Sequence, residues 1–130
     1  MTRVLYLVAG ITIGASGAAA VLAQSGPGAP RDALAVSPQL YTVRLENDRV
    51  RVSEYTLKPG QTEPLHSHGS FLVRFLGDGR IRATPAGGPP TESDVKRGDV
   101  GWREPMAHAV ENIGTTPVEA LIVDVKPCGK

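Results

Sequence analysis

Beyond Gln39 the hydrophobic and polar positions alternate with a period of two, in short runs separated by turn residues. Tyr41, Val43 and Leu45 alternate with Thr42 and Arg44, and Asn47-Asp48 supplies a turn. Val50 and Val52 continue on one face, after which Tyr55 and Leu57 take the opposite parity. That switch predicts a bulge near Ser53–Glu54, or a strand covered on both sides. Phe71–Leu76 is apolar on both faces except at Arg74, the pattern of a strand buried between two layers. Gly77-Asp78-Gly79 predicts a tight hairpin into Arg80–Thr84, with Ile81 and Ala83 inward and Arg80 and Arg82 outward. Pro85–Asp94 reads as a loop. Short strands follow at Val100–Trp102, His108–Asn112 and Val118–Lys126, the last apolar at almost every position and therefore central. No sustained helical period occurs after Gln39, so the expectation is an all-β sandwich or barrel.

The first part of the chain follows other rules. Arg3 precedes an uncharged run, Val4–Leu22, whose small-residue end leads to Val21-Leu22-Ala23. This is the pattern of a signal peptide over residues 1–23, cut after Ala23. About 19 uncharged residues could also just span a bilayer as an anchor. Gly10, Gly14, Gly17 and the alanine run make that span weakly apolar, so cleavage is favoured, with no stable membrane span afterwards. No cysteine stands at the cut to carry a lipid. Residues 24–40, rich in Gly, Pro, Ser and Ala, read as a flexible linker, and 41–127 as the folded domain. The expected location is exported, either periplasmic or extracellular.

Charge and cysteine content narrow the partners. The chain carries 14 basic and 13 acidic residues, and loss of Arg3 with the signal peptide leaves 13 against 13. A balance of zero argues against general binding to nucleic acid or to anionic membranes, both of which need a basic excess. The lone Cys128 cannot form an internal disulfide. A domain of this size without disulfides is stabilised by a compact β-core, by pairing with a second copy, or by a metal.

The candidate chemistry begins at Gly60–His68, GQTEPLHSH. On a strand, His66 and His68 point to the same side and can present two imidazoles to one point, a start on a transition-metal site. His108 is the only other histidine. No serine or cysteine is placed with a histidine in a way that signals nucleophilic catalysis, so no catalytic residue is assigned.

These residues carry a family resemblance. Gly60 followed by His66-Ser67-His68 resembles the first cupin motif, closed by Gly79. Gly98–Asn112, GDVGWREPMAHAVEN, resembles the second, with Gly98-Asp99 leading, Pro105 shortly before His108, and Asn112 after it. The likeness covers about 50–126. It implies a double-stranded β-helix, a cupin jelly-roll barrel of six or more strands, in which the two motif strands are neighbours and His66, His68 and His108 converge. It also implies a possible homodimer paired through the sheets. One departure stands out: where metal-binding cupins carry a glutamate after the second histidine, this chain has Leu72. A metal here would be held by three neutral imidazoles, its charge uncompensated by protein and its pull on an anionic ligand strengthened. Restoring the carboxylate with Leu72→Glu is expected to tighten binding. Three histidines with open positions suit iron, zinc, nickel or copper.

Around the site, Arg74 shares a parity count with the histidines and is the candidate substrate anchor for a carboxylate. Trp102 and Tyr55 are read as core or rim aromatics; Glu63 and Glu104, near the histidines in sequence, are candidates for a partner of the site or a base, with solvated turns the favoured reading. Asn112 is expected to organise a turn. The function that follows is an exported, metal-binding cupin with a three-histidine site. Its candidate activities are small-molecule binding or dioxygenase-type chemistry at a non-haem metal. The alternative is a metal-free, non-enzymatic module for ligand binding or dimerisation.

Overall fold

Alternation of inward and outward side chains builds two antiparallel sheets around one core. The computed structural model describes residues 30–129. They form a short helix α1 (Ala33–Val36), a 3₁₀ turn (Pro38–Leu40) and nine strands. The strands are β1 (Tyr41–Glu46), β2 (Val50–Leu57), β3 (Thr62–His68), β4 (Phe71–Phe75), β5 (Gly79–Pro85), β6 (Thr91–Val95), β7 (Val100–Arg103), β8 (Met106–Asn112) and β9 (Val118–Val125). Five of them hydrogen-bond in the order β1-β2-β9-β4-β7 and four in the order β3-β8-β5-β6. No strand is shared between the sheets, so they enclose the core without closing into a continuous barrel, which corrects the closed barrel expected above. The double-stranded β-helix expectation itself holds.

The central position of β9 follows from its sequence. Val118, Ala120 and Ile122 point inward and are buried, joining Tyr55 and Leu57 of β2, Phe71 and Val73 of β4, and Val110 of β8 in one core. Each fully buried side chain of this kind contributes about 1.5–3 kcal/mol. Asn112 fixes the far end of β8 as expected. Its Nδ2 donates to the Leu57 and Thr116 carbonyls, both at 2.8 Å, and its Oδ1 accepts from the Gly114 amide.

Four expectations change. Gly77-Asp78-Gly79 is not a hairpin, because β4 and β5 lie in different sheets. It is a corner between sheets, and a Cβ on Gly79 would stand 3.0 Å from Val118 Cγ2, which explains the small residue. The bulge falls on β1, where Arg44 is the extra residue between the pairs Val43–Ser53 and Leu45–Val52. On β2 itself the parity never switches: Arg51, Ser53, Tyr55 and Leu57 all face inward, and Val50 and Val52 face out. Residues 91–95, expected in a loop, form the edge strand β6. Glu92 and Asp94 there bind Arg80 and Arg82 of β5 across the exposed face. Such exposed pairs add about 0–1 kcal/mol each, but charges on an edge strand discourage edge-to-edge aggregation.

The linker expectation changes from Pro30 onward. Asp32 caps α1 through a 3.1 Å bond from the Leu34 amide, and Ala33, Ser37 and Leu40 are buried. The Ser67 amide donates to the Arg31 carbonyl at 2.8 Å, so this segment covers the edge of β3. The signal peptide and the linker up to residue 29 lie outside the described residues. No helix among the described residues is long and apolar enough to cross a membrane.

Candidate metal centre

An irregularity in β3 decides what faces the interior. Glu63 pairs with Val110 and His66 with His108, so three steps on β3 oppose two on β8. The extra residue lies in Pro64-Leu65, and the bulge turns both Glu63 and His66 inward although they are three apart. His66 therefore sits directly opposite His108, and His68 follows on the same face. The ligand atoms of His66, His68 and His108 all lie within 4.8 Å of one another. The convergence expected of the three histidines is what the structure contains.

Hydrogen bonds fix the tautomers. His66 Nδ1 donates to the Pro64 carbonyl at 2.8 Å, and His68 Nδ1 donates to Asp124 Oδ1 at 3.0 Å. A carbonyl and a carboxylate can only accept, so both rings carry their proton on Nδ1. The two Nε2 atoms then face each other at 3.1 Å with lone pairs outward. Two acceptors at that separation repel unless a cation lies between or beside them. Rings anchored at one nitrogen by a carbonyl or carboxylate, with the other nitrogens convergent, are the donor set a transition metal requires.

Burial disfavours the charged forms of His66 and His108. Desolvation, foremost, holds the His66 pKa below its ordinary value. His108 is pushed down to about 3 by burial first, then by the charges of His66, His68 and Arg103. A histidine whose folded pKa is lowered is stabilising while both states are neutral, and that stability is lost as pH falls below the unfolded value of about 6.5. Stability of the metal-free protein is therefore expected to be flat above pH 7. Below pH 6.5 it should fall toward pH 3 with a slope of up to about 1.4 kcal/mol per pH unit for each histidine still resisting protonation. Urea melts across that range check this, and an unchanged midpoint at pH 4.5 would contradict it.

Two acidic residues complete the surroundings: Asp124, which sequence reasoning missed, and Glu63, which it weighed as a partner or base but favoured in a solvated turn. Asp124 is buried at the inward end of β9 and bridges His68 to Arg51, whose Nε and Nη2 lie 3.3 and 3.2 Å from Oδ2. Arg51 Nη2 also reaches Asp32 at 2.9 Å. Burial alone would raise the Asp124 pKa. The His68 hydrogen bond and the charges of His68 and Arg51 outweigh it and hold the carboxyl below its usual range. The signal for Asp124 was present as a single acid on the apolar face of an apolar strand. Glu63, expected in a solvated turn, is 1% exposed. It accepts the Tyr41 hydroxyl at 2.8 Å and lies 3.6 Å from His66 Nδ1. Desolvation raises its pKa against the lowering effect of Tyr41 and Tyr55, and the same carboxylate and burial push both tyrosines above their ordinary range.

Other candidates lie elsewhere. Arg74 is exposed on the outer face of β4, paired with Val100 and Leu121, and does not reach the histidines. Leu72 also faces outward, while Phe71 and Val73 face in, and the Phe71 ring stacks 4.3 Å from His68. Leu72→Glu is thus expected to leave metal affinity unchanged, contrary to the sequence reading, and a tightened dissociation constant would refute this placement. Trp102 is 51% exposed, with its indole N–H on Glu104 at 2.8 Å, outside the cavity. Tyr55 lines the cavity, which is about 190 Å³ and otherwise walled mainly by Phe71, Val73, Phe75, Met106, Val110 and Ile122.

Solved structures share this architecture. A cupin domain from Bordetella pertussis superposes with a TM-score of 0.63 at 24% identity, over 77% of this chain and 99% of that one. A predicted oxalate decarboxylase from Thermotoga maritima gives 0.51 at 25% identity, over 67% and 79% of the two chains. An RmlC-like cupin family protein from Methanocaldococcus jannaschii gives 0.54 at 17% identity, over 66% and 80%. No family model and no curated protein matches the sequence. The chain has the cupin fold. Within that class it carries a group of three histidines, His66, His68 and His108, able to hold a metal ion.

Proposed function

We propose that the protein is an exported cupin that binds one divalent transition metal ion through His66, His68 and His108. The observation that carries this reading is the 3.1 Å approach of two Nε2 lone pairs whose rings are both committed at Nδ1. The donor set is all imidazole, which suits iron, zinc, nickel or copper. The metal would supply Lewis-acid polarisation, or with iron the activation of dioxygen, for a small molecule in the adjoining cavity. The chain's own contributions are distinct. Asp124 and Pro64 orient two of the rings, the apolar walls exclude water, and Glu63 is a buried group able to hold a proton beside His66. The test is to purify residues 24–130, load iron, zinc, copper or nickel, and measure bound metal. About one equivalent per chain is expected. A chain that stays empty with all four would leave the metal-free binding module in its place. Export is tested by fractionating cells that express the full chain and sequencing the N-terminus of the product, which should begin at Gln24.

A second copy of the chain is the proposed protein partner. Support comes from a row of half-exposed apolar residues across all five strands of the larger sheet, on its outer face: Trp102, Leu72, Val123, Val52 and Leu45, each in register with the next. The neighbouring row reads Val100, Arg74, Leu121, Glu54, Thr42. A two-fold axis along β9 would set Trp102 over the partner's Leu45 and Arg74 over the partner's Glu54, a self-complementary arrangement. Leu72→Glu is expected to shift the protein to monomer in sedimentation velocity. A wild type that is monomeric at high concentration would refute the pairing.

A further inference from the structure

The cavity beside the histidines has a charged side chain that sequence reasoning did not single out. Gly101 and Arg103 lie opposite Val73 and Phe71 in the β4–β7 ladder, so they share the inward parity of those two residues. Arg103 lines the cavity, and among the described residues it is the only lysine or arginine that does. Its guanidinium lies back over Gly101, where a Cβ would stand 2.9 Å from Nη1, and Nη1 donates to the Trp102 carbonyl at 3.0 Å. Arg44, Arg51, Arg80 and Arg82 are each committed to a carboxylate. Arg103 has none within ion-pair distance among the described residues, so four of its five N–H groups remain for another acceptor.

The rest of the wall defines what that acceptor belongs to. Most of the lining is apolar, and at about 190 Å³ the cavity is smaller than the roughly 300 Å³ at which sites for drug-sized ligands begin. One guanidinium matches a planar carboxylate through a two-point bond and by itself gives few donors for a dianionic phosphate. Glu63 is the one carboxylate in the lining among the described residues, and it disfavours a ligand that carries two negative charges. The Tyr55 hydroxyl, buried without a partner, offers a neutral group a hydrogen bond.

We propose that Arg103 is the anion anchor of the cavity and that the ligand is a small monocarboxylate with an apolar body. The inference deepens the metal reading of the same site and rests on it for the metal-facing part of the ligand. It gives to Arg103 the role that strand counting assigned to Arg74.

The experiment uses isovalerate and its uncharged analogue isovaleramide, titrated by ligand-observed NMR into residues 24–130 stripped of metal. Without a metal, a preference for the acid must come from the protein's own cation. The acid is expected to bind about tenfold more tightly than the amide, the yield of one charge-assisted bidentate contact. Arg103→Gln should bring the two within about twofold, and Arg103→Lys should keep part of the preference. Metal stoichiometry of Arg103→Gln should equal that of the wild type, which also shows that the variant folds. A wild type without acid preference, or an Arg103→Gln variant that retains it, overturns the anchor while leaving the metal reading intact. Arg103-dependent acid binding in a chain that takes up no metal would overturn the metal reading alone.

Discussion

Replacing His66 with alanine is expected to abolish stoichiometric metal binding, weakening affinity by roughly 100-fold or more. The estimate starts from outer-layer partners of metal ligands, whose loss already costs about 10–100-fold. His66 is the middle member of the group. Its ring centroid lies 4.9 Å from that of His68 and 4.7 Å from that of His108, whereas the other two are 5.8 Å apart. Removing it leaves the pair His68 and His108, and the neighbouring carboxylates are already engaged, Asp124 by His68 and Arg51, and Glu63 by Tyr41. The metal-free variant should behave differently from an ordinary core truncation. It loses packing in a fully buried position, but it also loses one of two opposed lone pairs. The stability cost should therefore fall near the low end of the about 2–5 kcal/mol typical of large-to-small core changes. Equilibrium dialysis and urea melts read the two effects separately. Unchanged affinity in His66→Ala would remove His66 from the site.

Substituting Asp124 with alanine is the change expected to damage both fold and site. Its carboxylate joins His68 on one oxygen to Arg51 on the other, and both partners are largely buried. Breaking a buried pair by deleting one partner costs about 3–5 kcal/mol. Arg51 keeps Asp32 at 2.9 Å, which places the expected value near 3 kcal/mol. For a domain of about 100 residues this lowers Tm by at least about 10 °C. Metal affinity should fall about 10–100-fold as His68 loses its tautomer control. The pH dependence identifies the cause. A carboxyl held below its usual pKa contributes stability that is present above the unfolded value of about 3.9 and is lost as pH falls through the folded value. Asp124→Asn should remove that acid-side loss while preserving side-chain volume. If the variant melts like the wild type across pH 2 to 7, the bridge does not carry the stability assigned to it.

Much of the fold was legible because strand periodicity is a short-range signal. The strands at Phe71–Leu76 and Val118–Lys126 were readable as continuous apolar runs, and Ile81 with Ala83 from alternation. The residues that misled share a different cause. Arg74 was placed by carrying a parity count from His68 through Gly69-Ser70 into the next strand, and Leu72 by the spacing of the motif it resembles. The chain changes sheet there, so the count does not transfer. Glu63 was favoured in a solvated turn because one extra residue at Pro64-Leu65 sets its face, and nothing in TEPLH marks a bulge beyond the proline. Strand β6 carries no apolar alternation because its outward charges are paired with Arg80 and Arg82 and it lies at an edge. The three histidines were legible as a set, but the partners that orient them come from β9 and from the bulge, which only three-dimensional register reveals.

The segment before the first strand has a consequence for how the molecule is divided. Asp32 holds Arg51, Arg51 holds Asp124, and Asp124 holds His68. A relay of three charged side chains thus runs from the point where the leader joins the domain to a ring of the candidate metal centre. Shortening the chain upstream of Pro30 leaves this relay whole. Beginning it at Tyr41 removes the relay's outer end, uncovers the edge of β3 and loosens Arg51, even though every strand remains. The described segment 30–40 therefore belongs with the strands it braces, ahead of the first strand residue Tyr41. Any load applied through the leader would reach Arg51 and Ser67 first, and His68 only through them.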